Sequence, residues 1–197
     1  MTLPMKSIAV FCASSRGVND LYFDAAKKAG GTIALESIRV VFGGSKLGLM
    51  GAVADGALEK GGEVIGVLPT FMRKKELEHK GLTELIFVES MHERKLKMND
   101  LSQGVIALPG GFGTFEELFE MLTWAQLGLH TKPIGILNVS GYYDKLLEMF
   151  EHMSESGLLR ESCKEMVLVS EDMNDLLSKM RNYEAPPSAL EMLEGQT

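Results

Sequence analysis

The sequence predicts an α/β fold built on one open, mostly parallel sheet with helices on both faces. Two observations carry that expectation. Short apolar runs rich in β-branched residues recur along the chain, and most are separated by stretches with helical periodicity. Such alternation builds right-handed strand–helix–strand units. The runs are also nearly continuous in apolar residues, as befits strands covered on both faces. The chain has 197 residues, 45% hydrophobic and 24% charged, which suits one domain with a sizeable core. Residues 1–182 read as that domain and 183–197 as a tail.

The first strand is Ser7 to Ala13 (SIAVFCA), followed by a helical pattern from Asp20 to Ser37. Strand Arg39 to Phe42 and helix Leu49 to Lys60 come next, then strands Glu63 to Leu68 and Leu85 to Glu89. A helix from Met91 to Ser102 leads to strand Val105 to Leu108, and helix Thr114 to Gly128 to strand Ile134 to Asn138. Helix Gly141 to Ser156, strand Met166 to Val169 and helix Glu171 to Arg181 complete the series. The end, YEAPPSALEMLEGQT, combines two prolines with weak periodicity and reads as a loosely attached tail. Ligands of open α/β sheets sit beyond the carboxyl ends of the strands. That directs attention to four loops: CASSRG (12–17), FGGSKLGLMG (42–51), LPTFM (68–72) and LPGGFGT (108–114).

Composition narrows the function. Net charge is −7 and no basic run is long enough to track a nucleic-acid backbone. A phosphate would have to be met by a local set of donors, which favours a small ligand over nucleic acid. No stretch approaches the roughly 20 apolar residues of a membrane span. The two cysteines, Cys12 and Cys163, lack metal-ligand spacing and read as buried thiols of a cytoplasmic protein. His79, His92, His130 and His152 show no metal pattern, and the 13 methionines read as core packing.

The phosphate motifs are selective in what they allow. The turn after the first strand, CASSRGVND, does not fit the dinucleotide fingerprint G-x-G-x-x-G. Gly111 and Gly113 match its first two glycines, but Glu116 stands at the third. GGSKLGLMG lacks the closing Gly-Lys-Ser/Thr of a P-loop. What remains is LPGGFGTFEE, a strand end, a glycine turn and a helix start. Gly110, Gly111 and Gly113 permit positive φ and a close approach of backbone N–H groups to an anion. The helix beginning near Thr114 aims its positive end at the same spot.

Two residues admit two readings each. Thr114 and Glu117 have capping-box spacing, with Thr114 as N-cap and Glu117 reaching back to its amide; Glu117 as a chemical group is the alternative. Glu116 is expected to face solvent. In SMHERKLKMND, a helical wheel places Arg94 in one apolar arc with Met91, Met98 and Leu101. A core-facing guanidinium either snorkels to water or enters a ligand site and meets a carboxylate or phosphate there.

PGGFGTFEE resembles the PGGxGTxxE signature of the LOG (Lonely Guy) family, and MHERK resembles its accompanying arginine-bearing segment. The likeness runs on through GGSKLGLMG, TWAQLGLHTKPIGILN and GYYDKLLEMF. It implies a Rossmann-like fold and a cytokinin riboside 5′-monophosphate phosphoribohydrolase. Such an enzyme hydrolyses the N-glycosidic bond of AMP or N6-modified AMP to free base and ribose 5-phosphate, without a cofactor. Carried over residue by residue, the resemblance puts catalysis on Arg94 and Glu117. Nucleotide contacts then fall on Glu76, Lys95, the turn Gly110, Gly111, Phe112, Gly113, Thr114, Phe115 and Glu116, and on Thr123. It also implies a homodimer with sites near the subunit interface. The old family label, lysine decarboxylase, requires pyridoxal phosphate on a lysine, and no lysine is set in a recognisable cofactor site. An AMP nucleosidase without preference for N6 groups, and a non-catalytic nucleotide or molybdenum-cofactor carrier, are the alternatives. Arg94 and Glu117 together speak against a pure carrier.

The same resemblance gives the residues physical roles. Cleaving a ribosyl–adenine bond builds positive charge on the sugar, so a fixed carboxylate is needed a few ångströms from the bound phosphate. The helix end and Arg94 are expected to hold Glu117 ionised, as stabiliser of the sugar cation or activator of water.

Overall fold

The structure, a computed structural model, describes residues 5–15, 19–73 and 77–188. Among the described residues, seven strands form one sheet in the order β4-β3-β2-β1-β5-β6-β7. They are β1 (Ser7–Phe11), β2 (Arg39–Phe42), β3 (Val64–Pro69), β4 (Glu84–Val88), β5 (Gly104–Ala107), β6 (Ile134–Leu137) and β7 (Val167–Ser170). Every neighbouring pair is parallel. The chain winds outward from β1 to β4, then returns to the other side of β1 with β5. That reversal opens a crevice at the carboxyl ends of β1 and β5, where doubly wound sheets bind ligands.

The central strands are buried on both faces. In β1, Ile8 and Val10 join one core cluster while Ala9 and Phe11 join the other. The first cluster packs under α1 (Asp20–Leu35), α2 (Gly48–Glu59) and α8 (Met173–Arg181). The second packs under α4 (Met91–Asp100), α5 (Phe112–Gln126) and α6 (Asp144–Glu155). Short helices α3 (Thr70–Arg73) and α7 (Glu161–Lys164) fall where no helical pattern could be read. One turn is too short to show a period.

Helices α1 and α2 touch backbone to backbone. A Cβ on Gly30 would lie 2.0 Å from the Val53 carbonyl oxygen, and one on Gly56 would lie 1.9 Å from that of Lys27. Side chains at either position would pry the pair apart.

Several boundaries differ from expectation, and two of them bear on the site. Helix α5 begins at Phe112, with Gly111 as its N-cap and no side-chain cap, so Thr114 is not a cap and the capping box with Glu117 does not form. Capping of that kind occurs at α4 instead: Ser90 accepts from the Glu93 amide, and Glu93 reaches back to the Glu89 amide. The expected helix from Gly141 starts only at Asp144. Ahead of it lies a short 3₁₀ turn, Val139–Gly141, in which Ser140 and Gly141 both take positive φ. After α8, residues 183–188 carry no helix or strand, yet Ser188 is buried beside Gly128 at the end of α5. Residues 189–197 of the expected tail lie outside the described part of the chain.

Candidate active site

All four loops singled out from the sequence line one cavity of about 560 Å³. The β1 loop contributes Cys12 to Ser15, the β2 loop Gly43, Ser45, Leu47 and Met50, and the segment after β3 Phe71 and Met72. The α5 N-terminus supplies Gly111 to Thr114 and Glu117, and α4 supplies Met91 and Arg94. One wall is therefore polar and rich in N–H and hydroxyl groups. The other, made by Leu47, Met50, Phe71, Met72, Leu77 and Met91, is apolar. The sequence points to these loops but assigns none of these apolar residues to a cavity wall. Methionines and a phenylalanine look the same in a core as on a cavity wall.

Arg94 and Glu117 meet at the floor. The Arg94 Nη1 donates to Glu117 Oε1 at 2.8 Å, and its Nε donates to the Val67 carbonyl at the end of β3 at 3.2 Å. Both side chains are about nine-tenths buried. The snorkelling alternative is thereby overturned, since the guanidinium is held inside. Its path runs past Gly43, just beyond the end of β2, where a Cβ would lie 1.8 Å from Arg94 Nη2. Gly43 is thus the gap through which the arginine passes, a role no glycine-turn motif would disclose.

The glycines of the phosphate turn act differently from expectation. None of Gly110, Gly111 and Gly113 has positive φ. Their use is the missing Cβ. At Gly110 it would collide with the Thr114 hydroxyl at 2.0 Å, while at Gly111 and Gly113 it would project into open space. The amides at the start of α5 have no partner within the helix, and Gly111, Phe112, Gly113 and Thr114 all line the cavity. Phe112 stands 97% exposed at its mouth.

The other expected contact residues divide. Lys95 is buried, but its ammonium sits between Glu116 and Glu120 (3.0 Å to the latter), and it does not line the cavity. Glu116 is exposed as expected yet ion-paired to Lys95. Phe115 packs on Tyr143 at 5.7 Å between ring centroids. Thr123 donates to the Phe119 carbonyl and borders a second cleft with Phe119 and Phe150. It stands nine residues beyond Thr114, roughly 13 Å along a helix rising 1.5 Å per residue. Glu76, and Arg16 with Gly17 of the first loop, lie outside the described residues.

Burial dominates the electrostatics. It pushes the Glu117 carboxyl above the usual carboxylate range, and the Arg94 guanidinium only partly pulls it back. The expectation that the helix end and Arg94 keep this group low is thus reversed. A raised carboxyl is a stronger proton acceptor than an ordinary one. The Cys12 thiol, buried and facing Glu117, is pushed up as well and stays protonated, which suits an inert thiol.

A family described as "Possible lysine decarboxylase" matches residues 50–180. The cytokinin riboside 5′-monophosphate phosphoribohydrolase of Rhodococcoides fascians is 43% identical over 178 residues, covering 90% of each chain. One from Arabidopsis thaliana is 42% identical, covering 89% of this chain and 82% of its own. The chain belongs to the LOG family.

Solved structures extend the likeness in fold alone. The molybdenum cofactor binding protein of Rippkaea orientalis superposes with TM-score 0.68 at 21% identity, over 91% of this chain and 98% of its own. The cofactor carrier of Chlamydomonas reinhardtii gives 0.67 at 21%, with the same coverage. The described residues that line the cavity of this LOG family member include one basic side chain, Arg94. No helix of the described residues is long and apolar enough to cross a membrane.

Proposed function

We propose that this chain hydrolyses the N-glycosidic bond of adenosine 5′-monophosphate and its N6-modified forms, releasing free base and ribose 5-phosphate. The observation that carries this is the buried Arg94–Glu117 pair, set in one cavity with the open amides of the α5 start. The relatives are named as phosphoribohydrolases of cytokinin riboside 5′-monophosphates, the N6-modified part of this reading.

The parts divide the work. The 5′-phosphate binds at Gly111 to Thr114, where helix amides and a hydroxyl converge. Glu117 faces the ribose. As the C1′–N9 bond breaks and the base departs with the bonding pair, the sugar carbon becomes cationic and the carboxylate stabilises it. Water then adds at C1′ and yields a proton to Glu117, whose raised affinity for protons suits the step. Arg94 fixes the carboxylate through the 2.8 Å bond. The apolar wall from Leu47 to Met91 gives an alkyl group on N6 a dry surface.

The protein works as a cytoplasmic homodimer in this proposal. Thr123 supports the second copy: it borders another cleft than its own chain's cavity, so a nucleotide contact by Thr123 would serve the partner's site.

The deciding experiment measures ribose 5-phosphate release from AMP, isopentenyl-AMP and adenosine side by side. Both monophosphates should be turned over, with kcat/KM far above that for adenosine, because the phosphate orients the sugar. Equal values for AMP and adenosine would overturn the phosphate site. Tight binding without turnover would make the protein a carrier.

Gly43→Ala tests the arginine's path. The added methyl would displace Arg94 and the Met50 methyl, both flexible ends, so the fold should persist. Turnover of AMP should fall by about a hundredfold, as for an ångström-scale misplacement. A melting curve like wild type with unchanged turnover would refute this.

A further inference from the structure

The glycine turn is gripped from behind by two adjacent tyrosines. The Tyr142 hydroxyl donates to the Gly110 carbonyl and the Tyr143 hydroxyl to the Leu108 carbonyl, each at 2.6 Å. Between them, the Pro109 carbonyl accepts from the Ala13 amide at 3.1 Å. Three consecutive peptide planes are thus each tied down by one hydrogen bond. In a trans peptide the N–H points opposite to the C=O. Holding the Gly110 carbonyl toward Tyr142 therefore turns the Gly111 N–H the other way. Gly111 lines the cavity and Tyr142 does not.

The corner that presents the tyrosines is built with care. Asn138 is buried, accepts from the Tyr143 amide and donates to Asp144, both at 2.7 Å. Ser140 holds a left-handed conformation at φ 49° and ψ 41°, which costs a non-glycine residue free energy. Strain of this kind persists only where the surroundings impose it, and it concentrates at functional sites. The rings pack edge-on in a row, Tyr22 on Tyr142 at 5.5 Å and Tyr142 on Tyr143 at 5.0 Å. That packing needs rings but no hydroxyls. Burial also keeps the Tyr143 hydroxyl protonated, so it stays a donor.

We propose that Tyr142 and Tyr143 are positioning residues for phosphate recognition: their hydroxyls orient the Leu108–Gly111 peptides so that the Gly111 N–H joins the α5 amides around the 5′-phosphate. This rests on the hydrolase reading above. Each hydroxyl acts at a distance, through the backbone it holds. A donor to the Gly110 carbonyl also polarises that peptide and strengthens the Gly111 N–H as a donor in turn.

The test compares wild type, Tyr142→Phe and Tyr143→Phe as full chains, by calorimetric binding of AMP and of adenosine and by kcat and KM for AMP. Each variant should bind AMP about tenfold more weakly, the scale of one well-placed hydrogen bond, with adenosine binding unchanged. KM should rise more than kcat falls, and melting temperatures should stay within a few degrees. Tyr142 is part-exposed, so its variant reports even if the buried Tyr143→Phe fails to fold. An unaltered AMP-to-adenosine preference in Tyr142→Phe overturns the proposal, and so does an equal loss for both ligands. Wild type that binds AMP without hydrolysing it refutes the hydrolase reading instead, while the binding ratio still decides the tyrosines' role.

Discussion

Glu117→Gln should lower AMP turnover by on the order of a hundredfold or more, the cost of removing a fixed electrostatic stabiliser. Glutamine keeps the shape and still offers an oxygen to Arg94 Nη1, now 2.8 Å from the carboxylate. Stability should therefore change by no more than about 2 kcal/mol, the scale of a charged hydrogen bond. The pH profile adds an independent readout. Glu117 must be ionised to act, and burial raises its pKa. Wild-type kcat/KM should thus fall on the acid side as pH drops through a value above the usual carboxylate range, and the variant should lack that limb. Stability runs the other way. A carboxyl raised in the folded state favours folding while protonated, and loses that contribution as pH rises through its folded pKa. Glutamine never ionises, so the melting temperature of the variant should gain on wild type as pH rises. A folded variant with near-normal turnover would remove Glu117 from the mechanism.

Arg94→Lys should be nearly as damaging, with turnover down by about a hundredfold, because an ammonium cannot reproduce the planar fork. The guanidinium spans two fixed acceptors, Glu117 on α5 and the Val67 carbonyl on β3. A lysine can reach one of them at a time. Glu117 is then held less firmly, and the cation that pulls its pKa down is weaker in its grip. Residual activity should show an acid limb moved to higher pH. Wild-type turnover with an unmoved limb would reduce Arg94 to a packing residue.

Both residues are legible in the sequence. Arg94 stands out because a guanidinium on an apolar arc demands a partner, and Glu117 because a carboxylate follows a turn suited to anions. The capping-box reading fails on two counts. Gly111 opens α5 without a side-chain cap, and the Glu117 side chain is drawn inward by an arginine 23 residues earlier. Lys95 is unreadable in the same way. Its charge is buried only because Glu116 and Glu120 come over from α5. The Tyr142–Tyr143 grip joins residues more than thirty positions apart, across β6 and β5.

By itself the sequence determined what short-range physics controls: which runs are strands, which longer stretches are helices, that the sheet is mostly parallel, and which loops gather at the strands' carboxyl ends. These follow from periodicity and from the burial of continuous apolar segments. The tertiary structure alone decided which glycine clears a path for Arg94, which carboxylate meets it, and which way the Glu117 pKa moves. Each of those depends on groups distant in sequence brought within a few ångströms. A steric gap, an ion pair and a desolvated charge are properties of such meetings, and no single stretch of chain contains them.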